Sequence, residues 1–326
     1  MKMSENNIAV GVQKLEKKFG DFTAVNKIDF AVNRGEIFGF LGPNGAGKST
    51  TIRMLCGILI PTSGQGQVGG FDITSQQEKI KENIGYMSQK FSLYDDLTVE
   101  ENIDFYSGIY KIPDAKKRER KEWIIKMADL EAFRKRMTRT LSGGWKQRLA
   151  LGCAIIHEPK IIFLDEPTSG VDPITRQNFW SLIKGMASEG VTVFVTTHYM
   201  DEAENCNRMA LIYKGTIIAM GTSEELKTKY MKNDVLKIDV PQAEDWIERF
   251  GKLSAVKETA LFGTGLHAIV DNAQAASAQI KELFGTSGVK DYRVEKIKPS
   301  LEDVFVSSIE NYDKENEPKQ SKGYSQ

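Results

Sequence analysis

The sequence predicts an α/β domain built on a parallel sheet, interrupted by a helical segment and followed by a small α+β domain. Three observations carry this prediction. A glycine-rich loop, Gly42-Pro43-Asn44-Gly45-Ala46-Gly47-Lys48-Ser49-Thr50, lies between the apolar run Ile37–Leu41 and a helical pattern. A second apolar run, Ile161-Ile162-Phe163-Leu164, ends in Asp165 and Glu166, as a strand buried on both faces does when it reaches a sheet edge. From residue 235 the pattern changes to short elements in the order strand, helix, strand, strand, helix, strand.

Composition sets bounds on function. With 326 residues, 40% hydrophobic and 27% charged, the chain has the makeup of a soluble globular protein with room for one large and one smaller domain. Lys plus Arg and Asp plus Glu are equal at 44 each, so no basic field argues for a nucleic-acid partner. Cys56, Cys153 and Cys206 lack C-x-x-C spacing, which fits core residues in a reducing cytoplasm and neither a zinc site nor a disulfide framework. Residues 1–7 are polar, without an apolar leader segment. No apolar run approaches the roughly 20 residues a membrane helix needs. A membrane, if one is involved, is supplied by a partner.

In chain order, the alternation Ile28, Phe30, Val32 reads as a half-exposed strand. The turn Asn33-Arg34-Gly35 then leads into the buried strand at residues 37–41, so a hairpin is expected there. Upstream, Phe19 beside Gly20 is available either to pack in the core or to stack on a purine ring. The glycine loop itself reads as a phosphate-binding loop. Its N–H groups turn inward around an anion, and the following helix adds its positive end. Lys48 reaches the outer phosphates and the Ser49 hydroxyl coordinates Mg²⁺, which makes the ligand a nucleoside triphosphate with magnesium.

The helix is expected over residues 50–59, stopped by Pro61. Residues 63–70 read as turns around a short strand, and 84–87 as another, with Gln89 at its exit as a loop residue. Thr98-Val99-Glu100-Glu101 is a capping box opening a helix to about residue 110, and a charged helix follows Pro113 and Asp114. Leu141-Ser142-Gly143-Gly144-Trp145 opens a further helix to about residue 157. Its start reads equally as a helix cap and as a second anion site.

Asp165 is expected beside Ser49 on the metal side, with Glu166 set to polarise a water. Ser169-Gly170-Val171-Asp172-Pro173 turns into a helix. A buried strand over 191–197 then ends at His198, the histidine positioned for chemistry; His157 and His267 read as structural or surface residues.

These motifs in this order resemble the ATPase subunits of ATP-binding cassette (ABC) transporters, over about residues 10–230. The resemblance implies a P-loop NTPase fold with a helical subdomain at about 90–157, ATP and Mg²⁺ as cofactors, and a dimer closing on two nucleotides. It also implies individual roles. Residues 42–50 hold the phosphates, Phe19 stacks on adenine, and Gln89 couples Mg²⁺ and the γ-phosphate to the membrane partner. Ser142, Gly143 and Gly144 contact the nucleotide of the opposite subunit. His198 holds the γ-phosphate and water, and Asp172 signals across the dimer. Phe19 stands where the family often has tyrosine, and Trp145 where its signature often has glutamine. Neither departure removes a phosphate ligand.

The expected domains are 8–231 for ATP binding, 232–311 for a ferredoxin-like accessory domain, and 312–326 for a disordered tail. Within the accessory domain, strands are expected over 235–240, 255–262, 266–270 and 292–297, with helices over 242–250 and 272–284. Residues 299–305 resemble the end of drug-export ATPases of the daunorubicin-resistance type.

The expected function is an exporter ATPase working with an integral-membrane permease and a second ATPase subunit, peripheral on the inner face of the cell membrane. A ribosome-bound ATPase of the same superfamily is the alternative, but it needs two cassettes where this chain has one. A chromosome ATPase needs a long coiled coil, and a metabolic kinase leaves residues 142–144 without a role.

Overall fold

The computed structural model describes residues 7–231 and 233–316, in two compact units that divide between Thr222 and Ser223. In the first unit, β1 (Ile8–Phe19) and β2 (Phe22–Asn33) form a long antiparallel hairpin. The expected hairpin between β2 and the next strand, β3 (Ile37–Leu41), does not form. Both edges of β3 are taken by strands arriving much later in the chain, so β2 packs over it face to face instead. Phe30 of β2 stacks on Phe38 of β3 with ring centroids 5.8 Å apart and meets Phe40 and Phe194 at 5.6 and 5.9 Å. Each buried ring contributes about 1.5–3 kcal/mol, which makes this aromatic cluster the glue between the two sheets.

Helix α1 (Lys48–Leu55) follows the glycine loop and stops four residues before the expected end. Gly57 takes φ +67°, its N–H reaches Met54 O and that of Ile58 reaches Arg53 O. This is a Schellman cap, which ends the helix before Pro61 is reached. Strands β4 (Ser63–Val68) and β5 (Phe71–Asp72) complete the first sheet in the order β2-β1-β4-β5.

After α2 (Gln77–Asn83), β6 (Ile84–Met87) enters the second sheet. The helical segment α3 (Val99–Ile109), α4 (Asp114–Met127) and α5 (Gly143–Ile155) then interrupts the strand–helix alternation. Thr98 and Glu101 form the reciprocal capping box of α3. The sheet resumes with β7 (Ile161–Asp165), α6 (Pro173–Ser188), β8 (Thr192–Thr197), α7 (Met200–Ala203), β9 (Arg208–Tyr213) and β10 (Thr216–Gly221). Its order is β10-β9-β3-β8-β7-β6, parallel except for β10. The carboxyl ends of β3, β6, β7 and β8 therefore converge at one edge, where open α/β sheets bind ligands.

The second unit starts with α8 (Ser223–Tyr230), which packs with the last helix of the chain. The division thus falls before the boundary expected at 231/232. Strands β11 (Asp234–Asp239), β12 (Val256–Phe262), β13 (Gly265–Val270) and β14 (Arg293–Ile297) make an antiparallel sheet ordered β12-β13-β11-β14, the ferredoxin-like order. The helix expected over 242–250 is broken into a 3-10 turn at Ala243–Trp246 and α9 (Ile247–Phe250), entered through Gln242 at φ +53°. It packs with α10 (Ala273–Thr286) on one sheet face through Trp246, Phe250, Ile280 and Phe284.

The final helix α11 (Leu301–Asn316) runs through residues expected to be disordered from 312. The remainder of that expected tail, 317–326, lies outside the described residues. Alternate residues of β13 face α11, and His267 Nδ1 donates to Asp303 Oδ1 at 2.8 Å with both side chains buried. Burial alone would raise the Asp303 carboxyl. Hydrogen bonds from His267 and Ser300 more than offset it and hold the group below the usual range.

Asp303→Ala leaves His267 unpaired and lowers the unfolding free energy by about 1–3 kcal/mol at neutral pH, the cost of a lost buried hydrogen bond, read by urea denaturation. The folded value is depressed, so the contribution is complete above the unfolded value of about 3.9 and is lost as pH falls through the folded value. The gap between variant and wild type therefore closes on acidification. A gap that is absent at neutral pH contradicts the pairing.

Candidate functional site

The glycine loop is built so tightly that side chains are excluded from it. A Cβ on Gly42 would lie 2.2 Å from Ile212 O, and one on Gly47, at φ +107°, 2.5 Å from Ala24 O. The loop is thereby pressed onto β9 and β2, with Ala46 buried beneath it. Lys48, 4% exposed, turns back so that its Nζ donates to Gly42 O at 2.8 Å and Pro43 O at 3.1 Å. The same ammonium stands 3.0 Å from Glu166 Oε1.

At the end of β7 the two acids separate. Asp165 Oδ1 accepts from Ser49 Oγ at 3.1 Å and from Thr196 Oγ1 at 2.7 Å. Burial raises the Asp165 carboxyl above its usual range, and these two hydroxyls offset part of the rise. Glu166 adopts φ +47°, a left-handed backbone that is unfavourable for glutamate. Its N–H donates to Thr196 Oγ1 at 2.9 Å, and its Oε2 meets Gln89 Nε2 at 3.1 Å and His198 Nδ1 at 3.2 Å. One carboxylate therefore gathers Lys48 from α1, Gln89 from the exit of β6 and His198 from the exit of β8.

These residues open on a cleft of about 390 Å³, lined by Phe19, Asn44, Ser49, Thr50 and Gln89 among others. Phe19 is half exposed on its rim, with Phe22 beside it and Lys17 Nζ 5.2 Å from the Phe19 ring centre. Of the two options the sequence left open for Phe19, core packing does not occur. Ser142, Gly143 and Gly144 do not line this cleft. Ser142 is exposed and makes no side-chain cap to α5, so its capping alternative fails as well. A Cβ on Gly144 would sit 2.7 Å from the Thr175 methyl. This puts the segment next to the start of α6, where Asp172 Oδ1 accepts from the N–H groups of Ile174 and Thr175.

Sequence reasoning missed Thr196, which hydrogen-bonds both acids of β7. The available signal was a hydroxyl pair, Thr196-Thr197, closing the apolar run Val193–Val195. It also missed Phe22, whose ring lies across the turn from Phe19. His157 is structural: it stacks on Tyr110 with centroids 3.6 Å apart, and burial pushes it down to about 4. The three cysteines are free and buried.

Two family models match the chain, "ABC transporter" over residues 25–169 and "ATP-binding protein DrrA1-3-like, C-terminal domain" over residues 221–309. The chain is 53% identical over 220 residues to the probable multidrug ABC transporter ATP-binding protein YbhF of Escherichia coli (strain K12), an alignment covering 68% of this chain and 38% of YbhF. It therefore spans well under half the length of that relative. It is 35% identical over 305 residues to the daunorubicin/doxorubicin resistance ATP-binding protein DrrA of Streptomyces peucetius, covering 92% of each. Among solved structures, the dimeric post-hydrolysis state of the ATP-binding cassette MJ0796 bound to ADP and Pi aligns with TM-score 0.60 and 27% identity, over 65% of this chain and 98% of that one.

Proposed function

This chain belongs to the ABC transporter family of ATP-binding proteins, and from that premise we propose that it is the ATP-hydrolysing subunit of an exporter of drug-like or other small molecules. The observation that carries this reading is the convergence of Lys48, Gln89 and His198 on the Glu166 carboxylate beside the Ser49–Asp165 pair. Relatives named for multidrug and daunorubicin resistance support the substrate class.

The donor set fits ATP with Mg²⁺. Glycines exclude side chains where phosphates approach, and the paired hydroxyl and carboxylate of Ser49 and Asp165 suit a hard cation that takes its remaining ligands from phosphate and water. ATP with Mg²⁺ supplies the phosphoanhydride bond to be broken and the negative charge to be neutralised. Residues 42–50 would hold the phosphates, with Ser49, Gln89 and Asp165 on the metal side and Phe19 under the base. Glu166 orients and deprotonates a water, and His198, bonded to Glu166 Oε2, fixes the direction of that carboxylate. Lys48 places a mobile charge where negative charge develops.

Each chain offers one loop and one Ser142–Gly144 segment, and that segment lies outside its own cleft. The reading therefore includes a second ATPase subunit, identical or related, whose Ser142 closes this cleft. No described helix is long and apolar enough to cross a membrane. The partner that spans it is a separate permease, and the chain acts peripherally on its inner face. ATP binding is assigned to the unit that ends at Thr222 and an accessory role to the unit that begins at Ser223.

Ser142→Arg tests the shared site. The variant binds a non-hydrolysable ATP analogue as a monomer with affinity close to wild type, and loses ATP-dependent association in light scattering. If monomer binding falls in step with association, Ser142 serves its own cleft and the shared site is wrong.

A further inference from the structure

Glu166 and His198 are joined a second time, behind the cleft, by side chains outside the phosphate machinery. Two residues after Glu166, the buried Thr168 hydroxyl donates to Glu202 Oε1 at 2.5 Å. Glu202 lies on α7, four residues after His198, and is 1% exposed. Arg176 of α6 places its Nε 3.3 Å from the same Glu202 oxygen and its Nη1 3.4 Å from Asp201. The Arg176 guanidinium lies 4.2 Å from the centre of the Tyr199 ring, and that ring packs on the His198 imidazole with centroids 4.0 Å apart. His198 Nδ1 then returns to Glu166 Oε2. With the chain from Glu166 to Thr168, these contacts close a ring: Glu166, Thr168, Glu202, Arg176, Tyr199, His198.

We propose that Arg176 and Glu202 are positioning residues that hold the Glu166 carboxylate and the His198 imidazole in register. A glutamate keeps a left-handed backbone only where its surroundings over-determine it, and the Thr168–Glu202 bond fixes the chain just beyond that residue. His198 is steered from the other side through Tyr199. Arg176 sits one turn into α6, where its N–H donates to Asp172 O. The start of α6 and the two reacting side chains are thereby one mechanical unit. Neither Arg176 nor Glu202 lines the cleft, so they act through their neighbours.

The inference rests on the ATPase reading for its kinetic arm only, because its structural arm needs no nucleotide. Glu202→Gln and Arg176→Gln are made separately and together. Turnover number falls by about 10²-fold in each, the effect of a small misplacement of reacting groups, while KM and the affinity for an ATP analogue stay near wild type. The double variant is no worse than the singles, because both break one ring. In protein without added nucleotide, the His198 ring ¹⁵N resonances move in both variants; with three histidines in the chain, His198→Gln assigns them.

If one variant fails to fold, the other decides the matter. An unmoved His198 resonance overturns the proposal, and so does a turnover loss matched by losses in nucleotide affinity and thermal midpoint. If the wild type hydrolyses no ATP, or Glu166→Gln retains full turnover, the ATPase reading fails; the His198 resonances still decide the positioning role.

Discussion

With Lys48 replaced by alanine, ATP turnover falls by about 10²–10³-fold or more, to the background of a phosphate-release assay. Lys48 Nζ is bonded to the carbonyls of Gly42 and Pro43 and stands 3.0 Å from Glu166 Oε1. It is thus a cation held at the mouth of the loop by groups that can release it. Two effects compete to explain a loss. One is the missing charge where negative charge develops. The other is structural, since Glu166 is 6% exposed and removing its counter-charge costs about 3–5 kcal/mol. The double variant Lys48→Ala/Glu166→Gln separates them, because it removes the uncompensated carboxylate and regains the thermal midpoint that the single variant loses. Turnover of Lys48→Ala, measured well below that midpoint, then reports the electrostatic part. Turnover near wild type would refute the phosphate-loop assignment.

The second large effect is a gain of association. Glu166→Gln keeps the volume and much of the hydrogen bonding toward Gln89 and His198 but removes the base, so ATP binds, bridges two subunits and persists. One loop and one Ser142 segment per chain imply a two-fold dimer in which residue i meets j and j meets i. The closed state is favoured only by differential affinity for ATP over the products. A stable ATP-dependent dimer therefore appears in light scattering with Glu166→Gln and not with wild type under turnover. A variant that stays monomeric at saturating ATP and Mg²⁺ leaves two accounts, closure that needs the permease or no shared site at all. Repeating the measurement with the copurified membrane partner tells them apart, since only the first traps a closed complex there.

What was legible in the sequence was local. The loop at 42–50, the acids closing 161–166 and the capping box at 98–101 are contiguous, and their spacing alone dictates backbone geometry. The misreadings share a non-local cause or a small residue with a large effect. Strand β2 looked like the hairpin partner of β3 because they adjoin in the chain, yet β3 is claimed by strands from near residues 195 and 210. Pro61 drew attention as the stop for α1, although Gly57 had already supplied the cap. The ring through Thr168, Arg176, Tyr199 and Glu202 left no motif, because it is assembled from three segments whose proximity only the sheet order creates.

That sheet order also has a kinetic consequence during synthesis. Strand β3 leaves the ribosome as Ile37-Phe38-Gly39-Phe40-Leu41, but its first partner, β8, ends at Thr197. At about 5–20 residues per second, this strand waits roughly 8–30 s for an edge to pair with. A nascent chain shorter than about residue 200 therefore carries its most apolar strand with both edges unpaired. It also lacks Thr196, the β8 hydroxyl that hydrogen-bonds both acids of β7. Such long-range closure slows folding and leaves the unfinished chain with unpaired strand edges, the kind of surface through which incomplete chains aggregate.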